Sequence, residues 1–207
     1  VPVIKAVAYV NIAWSILPFA AGLIFIRRLK PEMRALVGLF GVVAAIEILS
    51  LYFGFRRINI NWVAHFYTPM EYAVFGIVFA AWQANRIWRL LLVISIPLFI
   101  LFCAWDYVFH SDPLYTNHFT ASISCFLYIV ITVYTLIVVE RQHQGTIVSD
   151  FRFWILAGLL IYSAGSIPFF VFFNRFHSYA IWALHNGLNL VANSFYTAGI
   201  ICQIRRG

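Results

Sequence analysis

Charge is what this chain has least of: 10% of its 207 residues are Asp, Glu, Lys or Arg, and only seven are acidic. A soluble domain of ordinary composition is about a quarter charged, so too little polar surface is available to clothe a water-facing exterior. With 63% hydrophobic residues and a mean hydropathy of +0.89, the chain reads as an integral membrane protein. Cysteine is also scarce. Cys103, Cys125 and Cys202 lie in or at the end of apolar runs with no pairwise motif spacing, so they read as small packing residues rather than as a disulfide or a metal set. The first apolar run lacks an A-x-A cleavage site and carries Asn11 and Pro18, which makes it a span and not a signal peptide. The missing initiator Met points to processing or trimming.

What is present is length without polarity. Apolar runs of roughly 20 residues, enough to cross a bilayer as helices, occupy 6–26, 35–55, 61–83, 88–108, 117–139, 152–173 and 178–202. The expected fold is therefore all-α: one seven-helix transmembrane domain over residues 1–207. Short connections join the runs, and none is long enough to fold alone. The net charge of +7 sits in those connections, where it is a topology signal and implies no nucleic-acid partner. One side collects Arg27, Arg28, Lys30, Arg34, Arg86, Arg89, Arg141, Arg152, Arg205 and Arg206; the other has Lys5, Arg56, Arg57 and Arg175. That asymmetry puts the N-terminus outside and the C-terminus in the cytoplasm, leaving the connection with His110, Asp112 and His118 external.

The last run, Ser178 to Cys202, stands apart from the other six. It carries His185, Asn186, Asn189, Asn193 and Tyr196, which fall on one side of a helix at about 100° per residue. A polar stripe inside a membrane must face protein or a wet cavity. Two acidic residues, Glu47 and Glu71, lie deep within the second and third runs, where a carboxylate costs about 2.5–3.5 kcal/mol on insertion scales. Counted along the helices, Glu47, His65 and His185 lie roughly 6–12 Å from the outer ends, and Glu71 and Asn189 near 16 Å. Glu47, His65, Glu71, His185, Asn186, Asn189, Asn193 and Tyr196 are the candidate ligand-binding or proton-coupling set. Weaker hydroxyl and amide stripes add Asn11 and Ser15, Ser50, Ser124 and Tyr128, and Tyr162, Ser163 and Ser166, which equally suit helix packing. Pro18, Pro69, Pro97 and Pro168 lie inside runs and bend them. Trp62, Trp82, Trp88, Trp105, Trp154 and Trp182 near run ends read as an interfacial belt.

A repeat is visible at an offset of 120 residues. Trp62-x-x-His65 opens the third run and Trp182-x-x-His185 the seventh, while Gly38 and Gly158 match in the second and sixth. Two parallel three-helix units joined by a linker helix follow. In architecture alone this plan resembles the SWEET-type sugar carriers and, more loosely, the microbial rhodopsins. The Pro-Gln dipeptide of the first family is absent, and the only lysines, Lys5 and Lys30, leave the seventh run without a Schiff-base residue, so retinal is excluded. Three readings remain. The first is a carrier with a central polar cavity for a small-molecule or lipid ligand, or a proton-coupled substrate. The second is a sensor signalling to a cytoplasmic output, which is either a separate partner or a part of the protein beyond Arg206. The third is a metal hydrolase or haem protein using Glu47, His65 and His185, which resembles the ceramidase superfamily in helix number only. The bilayer is the one partner composition demands, and homo-oligomerisation stays open.

Overall fold

The computed structural model describes residues 2–56, 58–109, 118–143, 145–176 and 179–206. His110, Asp112, Arg57 and Ser178 lie outside the described residues, so the expected external connection does too. Seven α-helices account for nearly all the rest: α1 (Pro2–Ile24), α2 (Pro31–Phe55), α3 (Trp62–Trp82), α4 (Arg86–Phe109), α5 (His118–Gln142), α6 (Phe151–Phe176) and α7 (Tyr179–Arg206). Each coincides with one apolar run. Only the connections differ. The segment 27–34 is not all loop: a 3-10 turn covers Ile26–Arg28 and α2 starts at Pro31, because proline at the first helical position brings its own φ and lacks an N–H that would have had no partner. A second 3-10 turn, Ile147–Ser149, precedes α6. There the Asp150 carboxylate accepts the backbone N–H of Arg152 at 2.9 Å and caps the helix.

By length and composition four helices qualify as membrane spans, the mark of a multi-pass membrane protein: Pro31–Phe55, Arg86–Phe109, His118–Gln142 and Phe151–Val171. Tyr9–Ile24 is apolar but shorter. α3 and α7 do not join them. These are the two helices that carry Glu71, His65 and the asparagine stripe, and polar groups lower their hydropathy.

Packing orders the helices into a ring. α1 packs on α2 and α7, α2 on α3, α3 on α5, α5 on α6, and α6 on α7. α4 stands outside that ring along α3, held by Tyr72 Oη donating to Ser95 Oγ at 3.0 Å and by aromatic contact of Trp88 with Tyr134 of α5. It leaves Leu90, Leu91, Ile94, Leu98 and Leu101 exposed, a surface suited to lipid. Within the ring α6 and α7 approach each other closely. A Cβ on Gly158 would sit 2.9 Å from the Phe195 Cβ and 3.1 Å from the Ala192 carbonyl oxygen, and one on Gly199 would sit 3.1 Å from the Phe151 carbonyl oxygen. Small residues let two backbones meet there.

Tryptophan placement departs from the belt at one position. Trp62, Trp88 and Trp105 are exposed, whereas Trp82 is only 5% exposed and lies against Phe79 and Phe151. Position along the chain put Trp82 near a run end, but its direction is inward, and direction decides burial. Among the described residues Cys103, Cys125 and Cys202 form no disulfide.

Candidate functional site

Inside the ring, α1, α2, α3, α6 and α7 enclose a chamber of about 50 Å³. Its polar lining is Asn11 and Ser15 from α1, Glu47 from α2, Tyr67 and Glu71 from α3, Tyr162 from α6, and Asn189, Asn193 and Tyr196 from α7. Helical spacing explains why single elements contribute several groups: Asn11 and Ser15, Tyr67 and Glu71, and Asn189 and Asn193 are each i, i+4 pairs on one face. The Tyr67 hydroxyl donates to Glu71 Oε1 at 2.6 Å, a charge-assisted length. Asn11, 3% exposed, keeps an Oδ1 with no hydrogen-bond partner among the described residues. Among the described residues no lysine or arginine lines the chamber.

A second cavity of about 250 Å³ adjoins it toward the end where α2 finishes and α3 begins. Val43, Glu47, Tyr67, Tyr162 and Asn189 line both. This adjoining cavity adds Ser50, Asn61 and His185. The His185 ring stacks on Phe169 at 4.2 Å and 13°, with Nδ1 at 3.2 Å from Ser166 Oγ.

Five of the eight candidate residues therefore meet in the chamber: Glu47, Glu71, Asn189, Asn193 and Tyr196. His185 reaches the adjoining cavity. His65 and Asn186 line neither. His65 is buried and turns to the Tyr107 ring on α4 at 5.2 Å, and the Asn186 amide donates to the Trp182 carbonyl at 2.8 Å. Among the described residues no group of three or more His, Cys, Asp or Glu side chains is placed to hold a metal ion. Tyr67 was absent from the candidate set, although its position one turn before Glu71 was a readable signal.

Below the chamber the bundle is shut. The Phe40 ring stacks on Tyr196 at 5.0 Å, Phe75 meets Phe79 at 5.7 Å, and Phe79 meets Trp82 at 5.7 Å. Leu36, Phe79, Ile155, Leu159 and Ile200 are buried around them. From Phe75 to Trp82 this apolar wall is about 10 Å thick at 1.5 Å per residue. Beyond it, at the arginine-rich end, lies a wider cavity of about 570 Å³ reaching Trp82, Gln83 and Gln203.

Searches against known protein families, curated proteins and solved structures return no match for this chain.

Proposed function

We propose that this chain is a seven-span membrane carrier that takes a small cationic solute, or a polar solute together with a proton, into the chamber around Glu71. The carrying observation is that two carboxyl side chains, Glu47 and Glu71, share a small space with amides and hydroxyls and, among the described residues, with no lysine or arginine. An isolated carboxylate away from water is expensive unless something positive accompanies it. A proton or a cation satisfies that demand, and its arrival and departure is what a coupled carrier uses.

The arrangement has further support. The chamber opens by shared lining into a larger cavity on one side and meets an apolar wall on the other, the asymmetry of a carrier loaded from one face. The helix order is compatible with two parallel halves: the neighbours α1, α2 and α3 correspond to α5, α6 and α7, and the pairing of α3 with α5 corresponds to that of α7 with α1. Each half also places a 3-10 turn before its middle helix. On the charge asymmetry of the connections, the wider, shared opening faces outside and the arginine-rich end faces the cytoplasm.

Reconstitution in liposomes with a trapped pH-sensitive dye tests the reading. Proton uptake driven by a gradient of small organic or alkali cations is expected, and Glu71→Gln is expected to reduce it at least 10-fold with unchanged thermal stability. Flux unaltered in both Glu71→Gln and Glu47→Gln contradicts it.

A further inference from the structure

The cavity at the arginine-rich end is built differently from the chamber, and nothing above gives it a role. It measures about 570 Å³, within the range of small-molecule sites. Its floor holds three buried polar side chains with unused hydrogen-bonding atoms: among the described residues, Trp82 Nε1, Gln83 Oε1, and both Nε2 and Oε1 of Gln203 have no partner. These residues are 5%, 1% and 4% exposed. Leaving such groups unpaired costs about 1–3 kcal/mol each, so four at one floor mark a place where something polar belongs. Gln83 is not loose, because its Nε2 donates to Thr135 Oγ1 at 2.9 Å, which fixes its free oxygen in place. Gln83 and Gln203 are themselves 120 residues apart, at the ends of α3 and α7.

The mouth supplies charge. Arg28 and Lys30 are exposed there, with Lys30 Nζ 5.2 Å above the Phe151 ring. Glu32 offsets one of them. Asp150 is answered by Arg152, which reaches both of its carboxylate oxygens at 2.7–3.1 Å. One positive charge is left at the mouth, above a floor that needs both donors and acceptors.

We propose that this cavity binds the phosphate ester of a polyol, with the phosphate at Arg28 and Lys30 and the hydroxyls on Trp82, Gln83 and Gln203. A hydroxyl both donates and accepts, which is the combination the floor lacks, and the negative charge of a phosphate ester suits the excess of cations at the mouth. The same chemistry arrives either as a soluble polyol phosphate or as a phospholipid headgroup. The site is separate from the chamber, and binding here does not depend on flux.

The test is ligand-dependent thermal stabilisation of the full chain in detergent, with glycerol phosphate and inorganic phosphate as soluble probes, and in nanodiscs of phosphatidylglycerol or phosphatidylcholine. A shift with glycerol phosphate beyond that of inorganic phosphate assigns a soluble ligand. A shift with phosphatidylglycerol over phosphatidylcholine assigns the headgroup. In either case Arg28→Gln with Lys30→Gln, and separately Gln203→Met, are expected to weaken the effect at least 10-fold, and Gln203→Met is expected to raise the unliganded melting temperature by removing an unsatisfied amide. If Gln203→Met does not fold, Trp82→Phe removes a floor donor with little change in shape and carries the same expectation. No shift with any probe overturns the proposal. So does a shift that depends on Arg28 and Lys30 but ignores the floor variants, because that is surface charge alone.

Discussion

The two ends of this bundle solve the problem of a buried polar group in opposite ways. Around Glu71 two carboxyl groups share a tight space, and hydroxyls and amides from four helices close in on it. At the arginine-rich end the cations prevail, the space is more than ten times larger, and four buried polar atoms lack a partner among the described residues. An apolar wall built on Phe40, Phe75 and Phe79 keeps the two apart. The difference teaches that polarity in an apolar chain is partitioned by charge sign, with aromatic rings as the boundary.

Removing the boundary breaks the comparison most severely. Phe79 is fully buried, so Phe79→Ala is expected to destabilise the protein by about 3–5 kcal/mol and to make liposomes holding it leak protons without added solute. Thermal unfolding and the signal of a trapped pH-sensitive dye read the two effects. Next comes the α6–α7 contact that holds Tyr196 and Asn193 against the rest of the chamber. Gly158→Val places methyl groups where the Ala192 carbonyl already lies 3.1 Å from a Cβ, an overpacking of about 1–3 kcal/mol that lowers the melting temperature.

Asp150 sharpens the contrast from the other end. Burial pushes its carboxyl upward, but the hydrogen bonds and charge of Arg152, with His143 3.4 Å away, prevail and hold it below the ordinary value of 3.8. A depressed folded-state value means stability present above the unfolded value and lost as pH falls through the folded one. Asp150→Asn is therefore expected to lower the melting temperature near neutral pH by a few degrees, with the difference from wild type shrinking as pH falls below about 3.8. The smallest expected effect is at Tyr67. Tyr67→Phe removes one hydroxyl from Glu71, worth about 1.5–3 kcal/mol for a bond to a charged group and less where water replaces it, and is expected to shift the pH at half-maximal flux while leaving folding intact.

The helices were legible because each one is an apolar run with polar punctuation, and their bounds fall within a few residues of those runs. Pro31 moved the start of α2 earlier than hydropathy placed it, since a helix may begin on polar residues that hydropathy does not count. The chamber was legible in part. Helical periodicity puts Asn189, Asn193 and Tyr196 on one face, and burial alone made Glu47 and Glu71 conspicuous. Direction around the helix axis was not legible for His65, which depth grouped with the glutamates and which the structure turns toward α4. The arginine-rich cavity was not legible at all, because its floor is assembled from the final turns of α3 and α7 and the starts of α2 and α6, segments that a linear reading treats as span ends.

The central claim is that the chamber is an acidic compartment entered from the end opposite the arginines. Asn189 lines both the chamber and the adjoining cavity, so Asn189→Cys, on a background lacking Cys103, Cys125 and Cys202, places a thiol at the passage between them. Modification by a small cationic methanethiosulfonate in proteoliposomes is predicted to run at least 10-fold faster than by an anionic one of equal size, and to be blocked by Glu47→Gln with Glu71→Gln. Equal rates for the two reagents, or no reaction in the folded protein, contradict it.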